Sequence, residues 1–407
     1  MRGYINRKRA ANSSVRAQIR RWAHNTKLRV RRKFARAFYP AGLVPYQSVR
    51  WLGDMRRDLF QRNGVSLPQK LWAYRNGFLS YRIPQYGITP ENRGEFISDF
   101  EYRWLRHINK KYKYWLEDKI SIKYVAAAFN EFLPEYYYYT NHQAGKAHLI
   151  PMMDCPEGYG KDFSEVLRLV REKGLLALKP DEGSHGDGFF RLAYEDGEYT
   201  LNGETASGDE VLDILRNPEN RYLVTEFIIM HPDIARIYPQ SVNTLRMTVF
   251  KKDGITPVLG NAYMRVGSSA SGFVDNTAAG GLLVEVDIPT GRYGNAQMLD
   301  HGRVVPCEFH PDTHERMEGV LPRWEETKEK VLEMARSIPQ LEYMGFDVAI
   351  TEDGFKLPEI NRMPDFPRID KLTPEIIDYL LYKLDRKKRR YGYHKELPKK
   401  LISLPPR

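Results

Sequence analysis

GFDVAITEDGFKLPEINRMP, residues 345–364, consists of two alternating apolar runs around Asp353-Gly354. That pattern predicts a β-hairpin turning at the Asp-Gly pair. Glu359 and Asn361 are two residues apart, so they face the same side of the returning strand. Counting back across the turn sets Asp347 opposite Glu359. Three oxygen-bearing side chains then meet at one strand end. Two adjacent carboxylates repel each other unless a cation lies between them. Hard oxygen donors of this kind suit Mg²⁺ held together with nucleotide phosphates.

Upstream, VNTLRMTVF (242–250) reads as a strand with one arginine, Arg246, among apolar neighbours. A buried guanidinium cannot shed its proton, so it needs an anion. Within the chain, Glu226 and Glu285 are the candidate partners. VTEFIIMHPDI (224–234) is a strand followed by a polar shift. An apolar linker of this type can hold adenine through its backbone, with Glu226 at its mouth and Asp233 or His231 near ribose hydroxyls. Further up, ALKPDEGSHGDGFFRL (177–192) ends the strand LLALKP (175–180) in a lysine and a glycine turn, and FFRLAY (189–194) returns. Gly183, Gly186 and Gly188 permit positive φ and let backbone N–H groups approach a phosphate. No Gly-Lys-Ser/Thr opens a helix here, and no GxGxxG links a strand to a helix. By itself the segment is a plain hairpin with an incidental lysine. Against that, Lys179 at the end of an apolar strand is costly without an anion.

Composition sets the frame. The chain has 407 residues, 42% hydrophobic and 28% charged, with a net charge of +11. Length allows two or three core-forming units. No run of about 18 apolar residues is present, so no membrane-spanning helix is expected. No apolar segment follows the N-terminal charges, so a cleaved signal peptide is not expected. Cys155 and Cys307 are far apart and suggest neither a disulfide framework nor a zinc site; a reducing cytoplasm is expected. Residues 1–53 hold fourteen Lys and Arg and no acid, which exceeds the whole net charge. The loose stripe Val15, Ile19, Trp22, Leu28, Val30, Phe34 and Phe38 makes this arm a candidate basic amphipathic helix, able to lie on anionic lipid at the inner membrane face. A solvated arm, or a helix packed on the body, explains the pattern equally well. Nucleic-acid binding is not expected, because no recognisable module is present.

Residues 54–117 read as helical. Phe100, Trp104, Ile108, Tyr112 and Trp115 in SDFEYRWLRHINKKYKYWLEDK (98–119) are near helical spacing and read as core. Beyond residue 119, helices at 120–133, 162–174 and 323–338 are interspersed with strands. This is an α+β pattern.

The full set of motifs resembles the ATP-grasp superfamily, and within it the sugar-transfer-associated group linked to polysaccharide biosynthesis. The resemblance covers about residues 115–385. It implies two α+β subdomains clamping ATP, behind a helical, basic front in place of a Rossmann-like domain. The implied domains are a basic arm (1–53), a helical region (54–117), an ATP-grasp domain (118–385) and a basic tail (386–407). Within the third, a lid spans about 160–228 and a metal-binding part about 229–385. Lys119 and Lys179 match the phosphate-contacting lysines. GSHGDGF, with Gly183, Ser184, His185, Gly186 and Gly188, matches the mobile phosphate loop. TEFII, with Glu226, Phe227 and Ile229, matches the adenine linker, and Asp233 is the ribose candidate. NTLR and FVDNTAAGG (273–281) match the sugar-transfer group, which points to Arg246 and Asn276 as catalytic. Asp347, Glu359 and Asn361 match the magnesium ligands, implying ATP with two Mg²⁺ ions.

The activity implied is joining a carboxylate to an amine through an acyl phosphate, on a cell-surface polysaccharide or its sugar or amino-acid precursor. Two alternatives stand beside it. One is a phosphotransferase acting on a sugar or polyol hydroxyl. The other is a membrane-associated ATP-binding scaffold.

Overall fold

The computed structural model describes residues 22, 24–27, 29–30, 45–105, 108–109, 112, 114–143, 145–181, 188–300, 303–362, 364 and 374–390. Gly183, Ser184, His185 and Gly186 lie outside these residues, as do Asp365 and Arg368. The chain forms two units: residues 1–107 with 366–407, and residues 108–365.

The second unit is built on two sheets, antiparallel at every described pairing. The first contains β1 (Tyr136–Gln143), β2 (Lys146–Pro151), β3 (Leu175–Pro180), β4 (Phe190–Glu195), β5 (Glu198–Leu201), β6 (Glu204–Ala206) and β7 (Tyr222–Glu226), in the order β2-β1-β7-β3-β4-β5-β6. It begins well ahead of the expected lid boundary at residue 160. Helices Ser164–Lys173 and Gly208–Arg216 bury Val166, Leu169, Val170, Val211 and Leu215 in a cluster with Leu176, Leu178 and Val224 of the sheet. The second helix starts at a capping box: Ser207 N–H donates to Glu210 Oε2 (2.7 Å), and Glu210 N–H donates to Ser207 Oγ (3.2 Å). This pairing satisfies donors that a helix start leaves open.

The second sheet contains β8 (Thr244–Phe250), β9 (Val258–Val266), β10 (Leu282–Val286), β11 (Arg292–Asp300), β12 (Arg303–Pro306), β13 (Gly319–Val320), β14 (Tyr343–Ile350) and β15 (Phe355–Asn361). Its order is β12-β11-β10-β9-β8-β14-β15, with β13 on β11. Every residue of β8 and of β14 is buried. A strand covered on both faces reads as a near-continuous apolar run, so Arg246 and Asp347 are conspicuous in them. Helix Trp324–Ser337 adds Val331, Met334 and Ala335 to this core.

Two helices differ from expectation. The helix expected at 120–133 is an α-helix over Lys119–Val125 followed by a 3-10 turn over Ala127–Phe132. The break lets Phe129 join the core and Phe132 stack on Phe355 at 4.6 Å. The expected run through 98–119 is interrupted between Asp99–Leu105 and Tyr114–Glu117. Asn109 there has φ +62°, and its amide donates to Tyr343 O and to Arg362 O (3.1 Å) while accepting from Glu342 N–H (2.8 Å). Asparagine tolerates this left-handed conformation better than most residues. Three contacts to strand-end backbone outweigh one more helical turn.

In the first unit, helix Pro45–Leu59 crosses the expected arm boundary at 53. Its Trp51 is 2% exposed and meets Phe100 edge-on at 5.6 Å. Helix Pro374–Arg390, expected up to residue 385 within the ATP-grasp domain, belongs to this unit.

Candidate active site

The β14–β15 hairpin has the expected register: Asp347 pairs with Glu359 and Gly345 with Asn361. On the other side of β14, Arg246 of β8 pairs with Asp347. Arg246 therefore finds its anion in Asp347. The two carboxylates expected as structural partners are engaged elsewhere. Glu226 accepts from Glu135 N–H (3.1 Å) and pairs with Lys356 (3.2 Å). Glu285 accepts from the Asn295 amide (2.9 Å).

Asp347 is held from several directions. Arg246 Nε donates to Oδ1 and its Nη2 to Oδ2 (3.1 Å). Arg265 of β9 donates from Nη2 to Oδ2 (2.8 Å) and to Thr244 Oγ1 (2.6 Å). Asn361 Nδ2 lies 3.3 Å from the same Oδ2. Arg265 also lies 3.3 Å from Asp275, which accepts from the Thr244 hydroxyl and from its N–H (3.2 Å). A chain of charges thus runs Arg246–Asp347–Arg265–Asp275, buried at its first two members and half-buried at the others. Burial alone would raise the Asp347 pKa, but the Arg246 and Arg265 charges outweigh it and hold the carboxyl below its usual range. At Asp275 burial outweighs Arg265 and pushes the pKa up. Gly345 keeps space for this chain. A Cβ there would stand 2.5 Å from Pro364 Cβ and 3.2 Å from Arg246 Cδ.

Arg265 went unremarked in the sequence, because one arginine in VLGNAYMRV has no motif around it. The available signal was register: Thr244 pairs with Arg265 and Arg246 with Tyr263, which puts both arginines on one face of adjacent strands. Asp275, in turn, reads as a loop residue until Thr244 and Arg265 are placed beside it.

The two lysines approach the same region. Asp118 caps the helix that Lys119 opens, accepting from Ile120 N–H (3.0 Å) and the Ser121 hydroxyl (2.6 Å). Lys119 Nζ donates to Pro180 O (2.7 Å) and Asp181 O (3.3 Å), just beyond Lys179 on β3. Lys179 is pushed down to about 8, first by burial and second by the Lys119 charge; Glu359 and Glu226 pull the other way. A half-buried cation pair of this kind is offset by an anion.

Glu359 has the opposite bias. Burial and then the Asp347 charge raise its pKa, while Arg246, Arg265 and Lys119 lower it. No described residue donates a hydrogen bond to its carboxylate. The Asn361 Nδ2 turned to Asp347 leaves its Oδ1 as an acceptor, and among the described residues Asp347 Oδ1 takes one donor. Glu359, Asn361 Oδ1 and Asp347 Oδ1 fit a hard divalent cation in donor type. Among the described residues no cluster of three or more His, Cys, Asp or Glu forms a metal site, so such a site rests on two carboxylates and an amide.

The other expected residues are more dispersed. Phe227 is half-buried with the Arg191 guanidinium 5.7 Å from its ring. Ile229 is 66% exposed between buried Ile228 and Met230. His231 caps the short helix Pro232–Ala235, with Nδ1 accepting from Asp233 N–H (3.2 Å), so it is engaged structurally. The Asp233 carboxylate is 66% exposed. Asn276 O accepts from Ala279 N–H and Gly281 N–H (both 3.0 Å), closing a tight turn. Gly188 follows the phosphate-loop segment with φ +79°.

The family model for sugar-transfer associated ATP-grasp matches residues 99–370, about two thirds of the chain. No curated protein matches the sequence. Among solved structures, the chain is similar to the D-alanine--D-alanine ligase from Bacillus anthracis, with 12% identity, coverage of 68% of each chain and a TM-score of 0.35. It is also similar to the Chryseobacterium gregarium RiPP-associated ATP-grasp ligase in complex with ADP and a leader and core peptide, with 16% identity, coverage of 75% of this chain and 72% of that one, and a TM-score of 0.36. A biotin carboxylase from Campylobacter jejuni shares 11% identity over 70% of this chain and 48% of that one, with a TM-score of 0.36. With the family model spanning the whole of the second unit and about two thirds of the chain, the chain belongs to the sugar-transfer associated ATP-grasp family.

Proposed function

We propose that this chain is an ATP-dependent, magnesium-dependent ligase that joins a carboxylate to an amine through an acyl phosphate, acting on a cell-surface polysaccharide or its precursor. The observation that carries the reading is the cross-strand pair Asp347–Glu359 with Asn361 beside it, in the same electrostatic field as Lys119 and Lys179. Phosphoryl transfer depends on positioning and charge neutralisation more than on covalent chemistry from the protein, and this group of residues is suited to both.

Lys119 and Lys179 would meet phosphate oxygens. Backbone around Glu226, Phe227 and Ile229 would hold the adenine, and Asp233 the ribose. Glu359, Asn361 and Asp347 would hold Mg²⁺, which would supply positive charge to offset that of the phosphates. The substrate carboxylate would attack the γ-phosphorus, with ADP leaving. An amine would then displace phosphate from the acyl carbon. Arg246 spends Nε and Nη2 on Asp347, and its Nη1 would meet the transferring group. The turn at Asn276, Gly280 and Gly281 would line the acceptor side.

The test is a screen of amino acids and uronic acids for ADP release with Mg-ATP, followed by product analysis. Phosphate release together with an amide supports the ligase. A phosphorylated hydroxyl would replace it with a phosphotransferase. Absence of any magnesium-dependent ATP affinity would end both readings.

A further inference from the structure

In the first unit, an apolar corner lies open to solvent. Phe60 is 77% exposed, Leu67 59%, Leu71 53% and Leu59 38%. Leu67 and Leu71 are four residues apart on helix Leu67–Arg75 and share a face. Lys70, between them in sequence, is buried, and its ammonium donates to Asp58 O (3.1 Å), Leu59 O (3.1 Å) and Gln61 O (2.8 Å). Those three bonds fasten the end of helix Pro45–Leu59 to helix Leu67–Arg75. Lys70 thus ties the backbone at Leu59 to the helix that carries Leu67 and Leu71.

The exposed charges along this stretch of chain have one sign. Arg50, Arg56, Arg57, Arg62 and Arg75 are exposed. From residue 45 to residue 90 the only acids are Asp54 and Asp58. Asp58 is 2% exposed and accepts from Tyr74 Oη (2.8 Å) and Ser80 N–H (2.7 Å), and Asp54 is paired with Arg57. The sequence ahead of it adds the acid-free run of cations.

We propose that this corner docks into the interface of an anionic phospholipid bilayer, with Phe60, Leu67 and Leu71 entering the acyl boundary and the arginines facing the headgroups. Such a surface uses both features at once. A second copy of the chain would bring cations against cations. A nucleic acid would use the arginines and leave three large apolar side chains in water. The inference does not depend on the nucleotide reading.

The test uses the full chain in flotation with vesicles of phosphatidylcholine alone, or with roughly a third phosphatidylglycerol. Binding to the anionic vesicles is expected to be at least about tenfold tighter than to neutral ones. The variant Phe60→Ser/Leu71→Ser keeps the charge and is expected to lose at least about tenfold in that binding while its melting temperature holds. If it melts early, Arg56→Gln/Arg62→Gln provides the second measurement, with a loss confined to anionic vesicles. Equal binding to neutral vesicles, or unchanged binding by both variants, overturns the proposal. So does a dimer by light scattering that the serine variant dissolves, which would make a second copy the occupant. Tight binding to duplex DNA without vesicle binding would make nucleic acid the partner and equally overturn it.

Discussion

Glu359 and Asp347 face each other across one strand pair, yet their surroundings push them apart. Two guanidiniums claim Asp347, while Glu359 receives no hydrogen bond from a described residue. Like charges directly opposite in a sheet cost up to about 1 kcal/mol. Glu359→Gln removes that repulsion, so the nucleotide-free protein should melt no lower than the wild type. The same change takes away the least committed oxygen donor, and calorimetric titration should show magnesium-dependent ATP affinity falling at least about tenfold. A lower melting temperature with unchanged affinity would make Glu359 a structural residue. Arg265 carries the opposite expectation. Arg265→Ala leaves buried Asp347 and partly buried Asp275 short of positive charge, and breaking such a pair costs about 3 kcal/mol. Urea denaturation should show that loss, and Arg265→Met/Asp275→Asn should recover a good part of it, because the uncompensated charge is removed with its partner. Losses that simply add across the two sites would mean that Asp275 does not depend on Arg265.

Lys251 links two elements, following directly on β8 and meeting the end of helix Trp324–Ser337. It is 1% exposed, and its ammonium donates to Ile338 O (2.7 Å). A cation suits a helix C-terminus, but burial pushes this lysine down to about 8, with Glu342 pulling the other way. Below pH 8 it is charged in the folded and unfolded chain alike, so the penalty is constant. Between pH 8 and 10 the unfolded chain still holds a proton that the folded chain gives up, so stability rises with pH, by at most ~1.4 kcal/mol per pH unit. Lys179 acts in the same direction. The Cys307 thiol, raised by burial, acts against them, and above pH 10 buried tyrosines such as Tyr136 do too. The readout is therefore the difference between wild type and Lys251→Met in urea titrations from pH 7 to 10, and identical slopes would refute it. No sequence feature announced this lysine, since KKDG (251–254) reads as an ordinary polar turn. By contrast the hairpin at 345–364 was legible down to its register, because alternation and an Asp-Gly turn fix both ends locally. The strands β3 and β8 were legible as short apolar runs. What could not be read was long-range: Arg265 against Asp347, and Asn109 against the ends of β14 and β15. Such pairs depend on how sheets align, and no local pattern encodes that alignment.

At the scale of the whole molecule, the boundary between the basic arm and the folded body decides what can be removed. Charge alone draws that line at residue 53, where the first acids appear. Packing draws it earlier, because helix Pro45–Leu59 already buries Trp51 at 2% exposure and Met55 at 8%. Cutting at 53 therefore removes a core aromatic and the first half of a helix, and loss of a buried Trp costs about 3–5 kcal/mol. Cutting at 44 leaves both. Chains lacking residues 1–44 should unfold close to the full-length midpoint, while chains lacking 1–53 should show a lower melting temperature for the first unit. Lys119, Lys179, Asp347 and Glu359 all belong to the second unit, so Mg-ATP affinity should be the same for both truncations wherever the second unit remains folded. Nucleotide affinity that drops with the 1–44 cut would instead make the arm part of the ATP site, and the division of labour between a basic front and a nucleotide-binding body would have to be redrawn.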